Sequence, residues 1–112
     1  MNDTRSFSDI INQIIKLTRN GELKWEKSVT FPLGLLFKSG GVAEVFMGKF
    51  KERKLRLYQT KGEPNFILEL IDDKGDAIWE FPSVPEMKDL GEAVKFQLSN
   101  VKEFIDSLFE DK

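Results

Sequence analysis

The sequence predicts an α+β domain, with an N-terminal helix and one or two C-terminal helices packed on one face of an antiparallel meander sheet of four to five strands. Three observations lead to this prediction. Apolar residues recur every three or four positions near both ends, they alternate with polar residues in between, and short polar segments separate the alternating stretches. The length of 112 residues suits a single domain that spans residues 1–112.

The first element is a helix predicted over residues 7–19. Its apolar face is formed by residues spaced three and four apart, namely Phe7, Ile10, Ile11, Ile14 and Ile15. Ser6 is suited to the N-cap with Asp9 in the capping-box position, and Asn20-Gly21 tolerates the left-handed conformation that commonly ends a helix. Leu23 and Trp25 then alternate with charged residues, which predicts a short strand.

Four further strands are predicted over residues 42–50, 54–60, 66–72 and 76–81. The segments between them are short and polar, as antiparallel hairpin loops are, but their order in the sheet stays open. In residues 28–41, Pro32 and Gly34 interrupt an apolar run. Apart from a candidate strand fragment at 35–37, the sequence predicts no conformation for this segment.

The C-terminal part of the chain is predicted to be helical. Pro82 and Pro85 end the sheet, and Ser83 with Glu86 has the spacing of a capping box. Asn100 is a second N-cap candidate, so residues 83–111 form either one continuous helix or two helices that break at Ser99-Asn100. The second arrangement is favoured.

The alternation in the meander divides its residues between two faces of the sheet. One set is purely apolar, so it must pack against the helices. It consists of Leu55, Leu57, Phe66, Leu68, Leu70, Ala77, Trp79 and Phe81. The opposite face mixes charges with three isoleucines and a tyrosine, and two explanations stay open: a C-terminal helix or the 28–41 segment covers it, or a partner or second copy does. The predicted interaction face on that side comprises Lys54, Arg56, Tyr58, Ile67, Ile71 and Ile78.

The chain contains no cysteine and no histidine. Disulfides, thiolate catalysis, histidine general bases and metal sites built from these residues are therefore excluded, and the standard phosphate-binding motifs are missing too. The acidic cluster Asp72, Asp73 and Asp76 around Gly75 is interpreted as a tight turn. Trp25 and Trp79 are assigned to the core. We accordingly expect no enzymatic activity, catalytic residue, cofactor or metal.

Charge is unevenly distributed in this chain. The formal net charge is -2, yet residues 49–61 carry six basic side chains and one acidic side chain. The first functional hypothesis is a protein-binding or self-associating domain, such as an adaptor, an immunity-type inhibitor or a homodimer subunit. The alternative is a nucleic-acid-binding module that uses the basic hairpin 49–61. No signal core or membrane span is recognised, so we expect a cytoplasmic protein without a membrane partner.

Three segments carry a resemblance to known proteins. LTRNGELKW at 17–25 ends a helix, turns at Gly21 and enters a strand, and it is followed by KLRLYQ at 54–59 and LELIDDKGDAIWEF at 68–81. Together they resemble a group of small uncharacterised bacterial proteins with the outline helix, antiparallel meander, C-terminal helix. The similarity covers about half of the chain and consists of packing and turn residues. It implies that outline and no activity.

Overall fold

The structure, a computed structural model, describes residues 6–28, 42–60 and 65–110. Its α+β class is confirmed, because an N-terminal helix, a five-stranded antiparallel sheet and two C-terminal helices follow one another along the chain. The candidate strand fragment at 35–37 lies outside the described residues. In chain order the elements are α1 (Phe7–Arg19), β1 (Lys24–Lys27), β2 (Val42–Phe50), β3 (Arg53–Thr60), β4 (Phe66–Ile71), β5 (Ala77–Glu80), α2 (Met87–Ser99) and α3 (Val101–Leu108).

The sheet is a meander in which each strand pairs with its neighbour in sequence, in the order β1-β2-β3-β4-β5. Phe50 pairs with Arg53 around a two-residue turn whose first residue, Lys51, has a positive φ of 55°. The turn before β5 is held by the Asp72 carboxylate, whose Oδ1 accepts hydrogen bonds from the amides of Lys74 and Asp76 at 2.9 Å. This local bonding accounts for the acidic cluster as a turn.

Helices α1 and α2 pack on one face of this sheet and enclose the main core. Helix α2 lies against α1, β1 and β4. The closest approach is at Gly91, where an added Cβ would overlap the ring of Phe66. Most of the predicted inner-face residues are confirmed as core or as packed against it: Leu55, Leu57, Phe66, Leu68, Leu70 and Phe81.

The assignment of Trp79 to the core is wrong, and so is that of Ala77. Both lie in β5, in which every residue is exposed, and the Trp79 side chain is 51% exposed. The reason is that α2 packs over β1 and β4, so the edge strand β5 extends beyond the helix layer. The other tryptophan, Trp25, is buried as predicted.

The helix ends predicted from the sequence are confirmed in part. The α1 capping box forms, with the Ser6 hydroxyl accepting from the Asp9 amide at 3.1 Å. The predicted capping box at Ser83 is wrong: α2 begins at Met87, without a side-chain cap, after a turn in which the Met87 amide donates to the Val84 carbonyl. The break between two helices is confirmed at Asn100, which has the left-handed φ of 58°.

A polar side chain of α2 fastens this helix to the connection between α1 and β1. The Nε2 group of Gln97 donates to the carbonyls of Thr18 and Leu23 at 2.8 and 2.9 Å. Its Oε1 accepts from the backbone amide of Trp25 at 2.8 Å. The indole N–H of Trp25 donates in turn to the Thr18 hydroxyl at 3.0 Å. All three polar groups of the glutamine amide are thereby satisfied.

Candidate functional site

Five residues of the predicted interaction face lie together on the sheet surface opposite α1 and α2. Register places Tyr58 opposite Ile67 and Lys54 opposite Ile71, with Arg56 in the row between them. Arg56, Tyr58 and Ile71 are nevertheless buried, whereas Lys54 and Ile67 are half-buried. Only the sixth residue, Ile78 of β5, is largely exposed, at 55%. In this conformation the buried side chains are not open to a partner.

Burial of Arg56 is compensated by a hydrogen-bonded ion pair. Its Nε and Nη2 donate to Glu69 Oε1 at 2.9 and 2.7 Å, and its Nη1 donates to the carbonyl of Gly75 at 2.8 Å. The Tyr58 hydroxyl donates to the other carboxylate oxygen of Glu69 at 3.3 Å. Both charged residues are only 5% exposed. The cluster therefore joins β3, β4 and the turn before β5, and its charges are used inside the fold.

Three lysines of neighbouring strands form a second basic feature of this sheet. Lys24 pairs with Lys49, and Lys49 pairs with Lys54, so three lysines lie side by side across β1, β2 and β3. Like charges in directly opposing positions destabilise a sheet. Lys54 has an ion pair with Asp73 at 3.8 Å, at the upper limit for such a contact. We call these three residues the lysine row; sequence periodicity did not reveal it because strand order was open.

Several large apolar side chains of the C-terminal helices are exposed. Helix α3 buries none of its side chains. Phe104, Leu108 and Phe109 are 63%, 61% and 83% exposed. With two neighbours they form what we call the apolar patch, which consists of Phe96, Phe104, Ile105, Leu108 and Phe109.

A groove runs beside this patch, between α2 and α3. It has a volume of about 610 Å³. Ala93, Phe96 and Ile105 provide apolar walls. The charged lining consists of Arg19, Glu92 and Lys102. An apolar groove with a few charged groups at its rim is typical of a binding site.

The apolar spacing of α3 is visible in the sequence, but the exposure of these side chains could not be predicted from it. Residues Val101, Phe104, Ile105 and Leu108 have the spacing of an amphipathic helix, which ordinarily predicts packing on the domain core. In the structure α1 and α2 cover the inner face of the sheet, and α3 packs on α2 instead. The pattern therefore indicated a buried face without indicating what buries it.

The described parts of the chain hold neither an acidic cluster suited to a metal ion nor a membrane-spanning helix. Within residues 6–28, 42–60 and 65–110, no group of three or more acidic side chains is placed to hold a metal ion. None of the helices described there is long and apolar enough to cross a bilayer.

Comparison with known proteins identifies no relative. No family model, no curated protein and no solved structure matches the chain with statistical significance. Function must therefore be inferred from the geometry of this chain.

Proposed function

We propose that this chain is a small non-enzymatic protein-binding domain whose binding surface is the apolar patch. The observation that supports the proposal is the exposure of α3, an eight-residue helix without a buried side chain. Isolated helices this short are marginal in water, and protein helices owe most of their stability to tertiary packing of an apolar face. A partner that covers the patch would supply that packing.

The size and composition of the patch support the same proposal. Its five side chains expose roughly 500–700 Å² in total, given that a fully exposed aromatic side chain offers about 150–250 Å². The largest apolar patch on a typical monomer is about 300–600 Å², whereas one side of a standard protein interface buries about 800 Å². Three phenylalanines are also consistent with an interface, because aromatic residues are enriched there.

The bonding of the buried charged residues to each other supports a non-enzymatic role. Arg56 and Glu69 are the buried charged residues described in the structure, and each is bound by the other. An enzyme keeps such groups directed at substrate in a cleft. Here they connect strands. The cytoplasmic location and bacterial origin expected from the sequence stay predictions.

Site-specific photo-crosslinking tests the proposal. A photoreactive amino acid replaces Leu108 in the full chain, and adducts formed in living cells are identified by mass spectrometry. The matched control carries the same group at Lys88, an exposed position at the start of α2. Adducts at position 108 that are absent at position 88 support the proposal. Absence of adducts at both positions contradicts it.

A second candidate function is binding of a nucleic acid through the lysine row. The observation in its favour is that Lys24, Lys49 and Lys54 adjoin one another although their charges repel. Phosphate groups would relieve that repulsion and release counterions. Against it, Arg56 and Tyr58 of the basic hairpin are buried and unavailable to bases or phosphates.

A mobility-shift assay at low salt tests this candidate. If it is correct, the chain retards single- or double-stranded DNA or RNA, and Lys49→Glu/Lys54→Glu weakens retardation. Each lost phosphate contact should lower the slope of log affinity against log salt by about 1. Lys88→Glu is the control for loss of positive charge elsewhere. No retardation by the unaltered chain removes this candidate.

A further inference from the structure

We propose that the partner of the apolar patch is a second copy of this chain, related by a two-fold axis that passes beside the middle of α3. This inference rests on the protein-binding function proposed above and specifies its partner. In this arrangement the two α3 helices run antiparallel with their apolar sides in contact. Two-fold dimers are the commonest closed assembly, and they require a surface that is complementary to itself.

The α3 sequence has this self-complementarity when the axis crosses the helix at the level of residue 106. An antiparallel pairing then places Phe104 opposite Leu108 of the second copy. This contact occurs twice by symmetry, so one register covers both exposed side chains in each copy. Lys102 and Asp106 are bound to each other at 3.0 Å within one helix and lie away from this side.

The groove between α2 and α3 is suited to receive Phe109 of the second copy. Lys102 and Ile105 line the groove, and Phe109 lies four residues beyond Ile105 on the same side of the helix. In a two-fold antiparallel pair, equivalent sides of the two helices meet. Phe109, the most exposed residue of the patch at 83%, therefore comes to the groove of the other copy.

Arg19 at the groove rim favours the same end of α3. It lines the groove with Glu92 and with Lys102, which is bound to Asp106 of its own helix, and the segment that would enter carries Glu110 directly after Phe109. The carboxyl end of a helix also bears a partial negative charge, which a nearby cation stabilises.

The combined area is sufficient for a specific dimer. Two patches together would remove roughly 1,000–1,400 Å² from water, which overlaps the ~1,200–2,000 Å² of specific interfaces. A second copy thus covers the patch without any further component.

Sedimentation of the full chain tests the dimer. The unaltered chain should sediment as a concentration-dependent dimer, and Leu108→Glu should weaken association about thirtyfold or more, as expected for a residue at the centre of an interface. Ile78→Glu is the matched control, because Ile78 is similarly exposed (55% against 61%) but lies in β5. It should change the dissociation constant less than twofold. Thermal unfolding followed by circular dichroism establishes that both variants remain folded.

A mixing experiment tests the antiparallel register. Phe104→Glu and Leu108→Lys should each weaken the homodimer, because each places a charge against an apolar side chain at two symmetric contacts. An equimolar mixture of the two variants should form a heterodimer, since one contact in it joins the new carboxylate to the new ammonium group and the other contact is unaltered. Failure of the mixture to associate more tightly than either variant overturns the register.

The outcomes separate this inference from the function on which it rests. A chain that stays monomeric at its highest soluble concentration overturns the second copy as partner. If the photoreactive group at position 108 then captures a different protein, the protein-binding function stands. Adducts between two copies support both proposals. A monomer without adducts overturns both.

Discussion

At the residue scale, the burial of Arg56 decides how the basic hairpin must be understood. Glu69 lies directly opposite Arg56 in the register of β3 and β4, and the two charges are joined by a contact of 2.7 Å. Alternation in the sequence placed Arg56 on the face opposite the helices, but alternation identifies the face of a residue and not what covers it. Of the positive charges in this hairpin, Arg56 is used in an internal ion pair, whereas Lys49 and Lys54 belong to the lysine row.

Removal of one partner of the ion pair should be strongly destabilising. We expect Arg56→Met to lower the free energy of unfolding by about 3–5 kcal/mol, because it leaves the buried Glu69 carboxylate uncompensated. The double variant Arg56→Met/Glu69→Leu should regain most of this loss. Urea unfolding of the single and double variants measures both effects.

Lys54→Met provides the control for the ion-pair experiment. Lys54 lies on the same strand and the same face, but it is half-buried, and its ion pair within the described residues is a 3.8 Å contact to Asp73. Its substitution should change the stability by less than about 1 kcal/mol. Equal losses from Arg56→Met and Lys54→Met would contradict the importance assigned to the buried pair.

Gly91 should resist substitution even though alanine is the better helix former. The added Cβ would overlap the Phe66 ring, so that α2 must move away from β4. Overpacking of this kind costs about 1–3 kcal/mol and outweighs the gain in helix propensity of about 1 kcal/mol. We expect a net loss of about 1 kcal/mol for Gly91→Ala in urea unfolding. The adjacent exposed Glu92→Ala is the control and should be close to neutral; a more stable Gly91→Ala variant would refute the packing argument.

At the scale of elements, local sequence patterns predicted the positions of the helices and strands well. They predicted less well which side chains the neighbouring elements would cover. The cap at Ser6 and the break at Asn100 are encoded within a few residues, so both could be predicted. The exposure of Trp79 and of the apolar patch depends on how far α1 and α2 extend over the sheet. That extent is set by tertiary packing, which the periodicity of a sequence does not reveal. The failed cap at Ser83 has a local cause, since a turn at Pro85-Glu86 delays the start of α2.

The junction between α2 and α3 should depend on the left-handed conformation of Asn100. A β-branched residue is costly at a φ of 58°, whereas glycine adopts this conformation freely. We expect Asn100→Val to lower stability by about 1–2 kcal/mol and Asn100→Gly to be within about 0.5 kcal/mol of the unaltered chain. Urea unfolding compares them. Equal stability of the two variants would show that the junction does not require this conformation.

At the scale of the whole molecule, every strand pairs with its sequence neighbour and one main core joins the helices to the sheet. Pairing between sequence neighbours keeps the strand contacts comparatively local, which favours rapid formation of the sheet. The contact of α1 with α2 must be made across the whole meander. The outer face of the sheet carries a second, smaller cluster around Val45 and Tyr58. Both clusters share β2 and β3, so neither is expected to unfold without the other.

The prediction of a single domain can be tested through its two tryptophans. Trp25 is buried whereas Trp79 is 51% exposed, so fluorescence of a Trp79→Phe variant reports on the core alone. We expect its urea transition to coincide with the transition seen by far-ultraviolet circular dichroism, as two-state unfolding requires. The unaltered chain should give the same midpoint. Separate transitions would divide the chain into independent units and contradict the prediction.

The hydrogen bond from the Trp25 amide to Gln97 also limits how sheets of this protein can aggregate. It occupies the outer side of β1, so the carbonyl of an incoming strand would find the backbone N–H donor of Trp25 already bound to a side chain. At the opposite edge, no strand among residues 6–28, 42–60 and 65–110 pairs with the outer side of β5. Two molecules joined through their β5 strands would expose only β1 at each end. Polymerisation by this route should stop at two molecules and should not propagate into a fibril.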